Sequence, residues 1–275
     1  MSPFRGSAAL TQEWQHFDFA VIDGVATLTF SRPDRLGALT FDTYADLRDL
    51  LHELPQRDDT RVLVITGSGR GFCSGGDVEE IIAALRELEV AGLLEFTRMT
   101  GAVVKAMREC PIPIIAAVNG VAAGAGAVIA LAADLRLFAR SASLAFLFTR
   151  VGLAGADMGS AYLLPRVVGL ARATELLLLG DTVDAERCLQ LGLASDVVDD
   201  EMLTERAQAL ARRLADGPAF AYATTKSLLS RELDLGLSAA LELEAMTQAL
   251  LMRSDDHKEF LEAWQQKRAP KWSGR

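Results

Sequence analysis

The chain has little of what several large classes of protein need. It has no excess of positive charge, since 28 Lys and Arg stand against 37 Asp and Glu for a net charge of -9. A surface that neutralises nucleic-acid phosphates needs a strongly basic face, so a nucleic-acid partner is not expected. Cysteine and histidine are scarce, three of each in 275 residues. Cys73, Cys110 and Cys188 show no paired spacing, which argues against a disulfide framework and against a Cys/His metal site. No run reaches about 18 uninterrupted apolar residues, and the opening "MSPFRGSAALTQEWQHFDFA" has Arg5 but no apolar core of a secretion signal. The expectation is a soluble, thiol-reduced, cytoplasmic protein with no membrane partner.

What is present is material for a large core. Hydrophobic residues make up 50% of the chain, within the globular range. "FDFAVIDGVATLTFSRP" alternates apolar residues on both sides of Asp23-Gly24, which predicts a β-hairpin. From Thr40, Phe41, Tyr44, Leu47, Leu50 and Leu51 recur at helical spacing, and "RVLVITG" then reads as a buried strand. A helical stretch from about Asp77 to Arg108 follows. "PIPIIAAVNG" then reads as strand, "GAGAVIALAA" as helix, and "DLRLFA" and "LAFLF" as strands. The α/β alternation ends near residue 200, so the division expected is a mixed α/β core over 1–200 and an α-helical region over 201–275.

Two stretches are unusually bare. "GSGRGFCSGGD" at 67–77 holds five glycines between a strand and a helix opened by Asp77. It has neither the Gly-Lys-Ser/Thr ending nor the GxGxxG spacing of a nucleotide loop. "VNGVAAGAGAVIALAAD" repeats the strand, glycine turn and helix arrangement. A tight connection or close helix packing explains either one alone. A helix N-terminus also carries unpaired N–H donors, and two such turns together offer the pair of amides that an oxyanion hole for a thioester enolate requires.

Taken with "RPDRLGAL", "FTRVGL", "LLPRVVGLARATELLLLGD", "AERCLQLGLASDVV" and the closing "EFLEAWQQKRAPKWSGR", these stretches make nearly the whole chain resemble the enoyl-CoA hydratase/isomerase, or crotonase, superfamily. The resemblance implies a spiral of ββα units, a C-terminal helical trimerisation region, and a homotrimer or a hexamer of two trimers. It implies an acyl-CoA thioester as substrate, with CoA arriving as part of it and no metal or redox cofactor. The family's two oxyanion amides match Ser74 and Ala125. Its CoA contacts match Arg35, Leu36 and Phe72, and Trp264 and Lys267 near the C-terminus; Gly37 stands where the family usually has Asn.

The family's hydratases carry two glutamates that hold water and protonate the α-carbon. Val128 stands at the first of these positions, and Thr149 or Arg150 near the second. The next carboxylate is Asp157, which coincides, counted back from "LPRVVG", with the Asp of the isomerase-like branch. The segment before it is one residue longer than in that branch, and Ala156 replaces its Pro. One carboxylate suffices for a 1,3-proton shift, so the resemblance implies a double-bond isomerase with Asp157 as the shuttle. Burial among residues such as Leu153 and Met158 would raise its pKa, which suits proton transfer near neutral pH. The alternatives are a hydratase, a hydrolase or synthase on cyclic or aromatic acyl-CoA, and, from another class, a non-catalytic acyl-CoA binding protein. A helix N-cap is the plain structural alternative for Asp157. Core packing is that for Cys73 and Tyr162, and a solvated first helical turn that for Glu79 and Glu80.

Overall fold

A computed structural model describes residues 9–274. The opening eight residues, Arg5 among them, and Arg275 lie outside the described residues. The hairpin forms as the alternation predicts: β1 (Asp18–Ile22) pairs antiparallel with β2 (Gly24–Phe30) across Asp23 and Gly24, both of which have positive φ. Helix α1 (Phe41–Glu53) starts where Thr40 and Thr43 cap each other, each hydroxyl accepting the other's backbone N–H at 3.1 and 3.3 Å. Its buried stripe is Tyr44, Leu47, Leu50 and Leu51.

Three successive units then place one strand in each of two sheets before a helical segment. They are β3 (Thr60–Gly67) with β4 (Gly71–Cys73), followed by α2 (Ala83–Leu85) and α3 (Val90–Glu109); β5 (Ile114–Val118) with β6 (Val121–Ala123) and α4 (Ala125–Ala132); and β7 (Leu135–Ala139) with β8 (Ser143–Ala145), α5 (Ser160–Val168) and α6 (Leu170–Leu179). After β9 (Val183–Asp184), α7 (Ala185–Gln190) and β10 (Asp196–Val198), the larger sheet has the order β1-β2-β3-β5-β7-β10 and the smaller one β4-β6-β8-β9. Beyond the hairpin the larger sheet is parallel. Its central strand β5 is buried along its whole length, as a strand covered on both faces must be.

Helix α8 (Leu203–Ala215) lays Ala207, Ala211 and Ala215 against that sheet, touching β2, β3, β5 and β7. Helices α9 (Ala219–Glu232), α10 (Leu237–Leu251) and α11 (Asp255–Gln266) complete the C-terminal region. Lys226 of α9 is tied to the core, its ammonium 2.8 Å from Asp134 and 3.1 Å from the Ile112 carbonyl. Asp134 also accepts from Ile114 N at 2.8 Å and lies 3.4 Å from Arg108.

Two expected elements differ. The helix over 77–108 is broken: a π-helical turn at Val78–Ile82 and α2 end in turns, and α3 restarts at Val90. The strand "LAFLF" stops at Ala145, where its antiparallel partner β9 runs out, and continues as a 3-10 turn over Leu147–Val151.

Candidate active site

The two bare turns meet because β4 and β6 are neighbours, with Gly71 opposite Val121 and Cys73 opposite Ala122. Asn119 locks the corner: its amide donates to the Gly69 and Gly71 carbonyls and its oxygen accepts from Gly67 N. A Cβ on Gly126 would stand 2.0 Å from the Cys73 carbonyl oxygen, so only glycine lets α4 press against the end of β4. Gly124, at φ 51° and ψ -120°, turns the chain into α4 and ties its own N–H to the Ala145 carbonyl at 2.9 Å. The next amide, that of Ala125, begins the helix and has no partner among the described residues.

The amide expected at Ser74 is not available. Ser74 N donates to the Leu36 carbonyl at 2.9 Å, and its hydroxyl donates to the Arg35 carbonyl at 3.0 Å. Two residues on, Gly76 forms a parallel bridge with Leu39, made by Leu39 N to Gly75 O and Asp77 N to Leu39 O. In that pattern the hydrogen bonds are made by the residues flanking Gly76, so its own N–H points away from Leu39. It has no partner among the described residues. The free pair is therefore Gly76 and Ala125. The two turns lie close enough that a Cβ on the intervening Gly75 would be 3.4 Å from Ala125 N.

Gly76 and Ala125 line an apolar cavity of about 220 Å³ walled by Ile81, Phe96, Phe148, Leu153 and Met158. Asp157 lines it too, and among the described residues it is the one charged residue that does. Met158 adopts positive φ, 49°, which is costly for a residue with a side chain, and Gly159 follows at 87°, where glycine is unstrained, so the chain turns into α5 just after Asp157. The buried Ser160 braces it from behind, its hydroxyl accepting from Asp157 N at 3.1 Å and donating to the Gly155 carbonyl. Among the described residues the carboxylate accepts only from Met158 N, at 2.8 Å, and Gly159 occupies the N-cap of α5. Burial pushes the Asp157 carboxyl above its ordinary pKa, and the Met158 amide offsets part of that.

None of the positions where a second carboxylate was sought faces this cavity. Val128 is wholly buried in α4, the Thr149 hydroxyl is buried with no partner among the described residues, and Arg150 is paired with Asp181. Glu79 and Glu80 are exposed and bridge to Arg35 and Arg32 at 2.7 and 2.6 Å. Asp77 caps the turn that follows it, accepting from Glu79 and Glu80 N. Burial pushes the Cys73 thiol up to about 12, so it stays protonated at neutral pH. The Tyr162 hydroxyl donates to Asp234, outside the cavity. His16 lies against Asp46, His52 against the Arg48 carbonyl, and His257 stacks on Phe260. Among the described residues no group of three His, Cys, Asp or Glu is placed to hold a metal ion.

The expected CoA contacts are scattered. Arg35 is exposed beside Glu79, and Leu36, at φ 52°, packs over β4. Phe72 corrects the expectation: its side chain is wholly buried, edge-on to Phe30, and cannot present a surface to a ligand. Trp264 is exposed on α11, and Lys267 ends that helix at φ 55°. Sequence reasoning missed Gly76 and Tyr44, the second of which lines the cavity. The glycine pair in "SGGD" was a signal for the first, and Tyr44 read only as part of the α1 core stripe.

The sequence pattern of a family described as enoyl-CoA hydratase/isomerase matches residues 21–275. The 1,2-epoxyphenylacetyl-CoA isomerase of Escherichia coli (strain K12) is 39% identical over 257 residues, covering 92% of this chain and 96% of that protein. A crystal structure from Streptomyces coelicolor A3(2), whose name places it among the enoyl-CoA hydratases, is 62% identical with a TM-score of 0.98 over 100% of both chains. The enoyl-CoA hydratase of Bacillus anthracis superposes with a TM-score of 0.89 at 27% identity, covering 95% of this chain and 100% of that one. The chain belongs to the enoyl-CoA hydratase/isomerase family, and its mixed α/β architecture is the crotonase fold.

Proposed function

We propose that this enzyme stabilises the enolate of an acyl-CoA thioester and moves a double bond by a 1,3-proton shift. The observation that carries this reading is that, among the described residues, a single carboxylate, Asp157, shares one apolar cavity with two unpartnered main-chain amides. Asp157 removes a proton from the carbon between the thioester and the double bond of a 3-enoyl group. The electron pair moves onto the thioester oxygen, where Gly76 and Ala125 N–H meet the growing charge. Asp157 then returns the proton to the far carbon of the former double bond, leaving the conjugated 2-enoyl thioester. A carboxyl whose pKa is raised holds that proton between the two steps more readily than an ordinary one does.

CoA enters as part of the substrate, and no metal or redox group is needed, because the reaction transfers only a proton. Arg35 and Leu36, and Trp264 and Lys267 from a neighbouring subunit, are proposed to hold the CoA moiety. Exposed Leu237, Leu241, Leu250, Phe260 and Trp264 on α10 and α11 are apolar surface that a homotrimer or hexamer would cover. On this reading residues 1–200 carry the site, 201–275 the assembly contacts, and the enzyme works in the cytoplasm.

Hydration is the second reading, favoured by relatives named as enoyl-CoA hydratases. It asks Asp157 alone to position water, or to act on a cyclic or aromatic acyl group. Purified protein given 3-enoyl-CoA and crotonyl-CoA in deuterated water separates the readings. Isomerisation yields the conjugated product without a gain of water, and Asp157→Asn abolishes it. Water uptake by crotonyl-CoA favours hydration, and binding without α-proton exchange would mark a non-catalytic binding protein.

A further inference from the structure

Tyr44 sits in the buried stripe of α1, 3% exposed, with its ring edge-on to Phe96 at 6.0 Å. The tip of the side chain has a different setting from the ring. It lines the same cavity as Gly76, Ala125 and Asp157. A Cβ on Gly76 would lie 3.8 Å from the phenol oxygen. Among the described residues the hydroxyl has no hydrogen-bond partner. The hydroxyl is open to the cavity rather than sealed in the core, so its pairing falls to whatever enters there, water or a ligand oxygen. Burial, with smaller contributions from Cys73 and Asp157, raises the phenol's pKa, so it remains a donor at neutral pH. Asp157 lines the same cavity, and its carboxylate accepts from Met158 N and not from the phenol.

We propose that Tyr44 recognises substrate: its hydroxyl donates a hydrogen bond to an oxygen carried by the acyl group close to the thioester carbonyl. The site then favours hydroxy-, oxo- or epoxyacyl thioesters over hydrocarbon ones of equal length. A hydroxyl placed between Tyr44 and Asp157 accepts from the first and donates to the second. A purely hydrocarbon acyl group leaves the phenol unpaired. This inference rests on the acyl-CoA reading above.

The test compares 3-hydroxybutyryl-CoA with butyryl-CoA by titration calorimetry, in an Asp157→Asn background so that the hydroxyl is not lost as water. The hydroxylated ligand is expected to bind about 3- to 10-fold more tightly. Adding Tyr44→Phe, which keeps the ring against Phe96, should make the two affinities equal. Equal affinities before that change, or a preference that survives it, overturn the proposal. Butyryl-CoA binding reports on the underlying reading separately. If it binds and no preference exists, only the role of Tyr44 falls; if neither thioester binds, both fall.

Discussion

Replacing single backbone amides by esters separates the two roles that main-chain N–H groups play at this site. Incorporation of lactic acid in place of Ala125 deletes one N–H and keeps the methyl group. That amide has no partner among the described residues, so the fold should lose little beyond a weaker Gly124 carbonyl, which accepts from Val128 N at 3.2 Å. The transition state should lose an oxyanion donor, typically about 2.7–4 kcal/mol, or a 100- to 1,000-fold slower turnover. The hydroxy-acid analogue of serine at position 74 should do the reverse. It removes the 2.9 Å bond to the Leu36 carbonyl, at a cost of about 1 kcal/mol in stability, with turnover little changed. The assays are the rate of α-proton exchange on a saturated acyl-CoA in deuterated water and the urea unfolding midpoint. An ester at 125 that leaves exchange within threefold would refute the assignment of Ala125. An ester at 74 that slows exchange 100-fold would refute the exchange of Ser74 for Gly76.

Asp157 should also report on itself through pH. Its raised pKa means the folded state holds the proton more tightly than the unfolded state does. The resulting stability is full below the ordinary carboxylate pKa and is lost as pH rises through the raised value. Asp157→Asn should therefore gain in melting temperature relative to the parent between acid and neutral pH, and a difference that is flat with pH contradicts the buried-carboxylate assignment. Gly126→Ala places a methyl 2.0 Å from the Cys73 carbonyl. It should cost about 3 kcal/mol by urea unfolding and slow exchange by separating the two turns; an unchanged midpoint would count against the contact.

Much of the architecture was legible because local and global preferences agree. Asp23-Gly24 marks the hairpin, Thr40 marks the start of α1, and apolar runs mark β3 and β5. The break between α2 and α3 was hidden because "ALRELEV" holds neither glycine nor proline and apolar residues continue at helical spacing on both sides. The end of β8 depends on where a partner strand stops, which is information from residue 183 rather than from the strand itself.

At the site, the sequence pointed to both glycine turns and to Asp157 as the carboxylate. It could not choose between Ser74 and Gly76, because along an extended chain residues two apart point their N–H groups to the same side, and it is the positive φ of Gly75 between them that breaks the alternation. Which side faces the cavity is decided by the bridge to Leu39, far back in the chain. Tyr44 was obscured by its ring, whose burial satisfies the helical pattern whatever the hydroxyl does.

The fit of Gly126 against Cys73 also bears on how this protein can change over generations. Both proposed charge-stabilising groups are part of the peptide linkage, so point mutation recolours the walls of the chamber without erasing them. The acid is an ordinary side chain and can be reassigned by one codon. A lineage built this way can try new chemistries cheaply while its most demanding component is inherited intact.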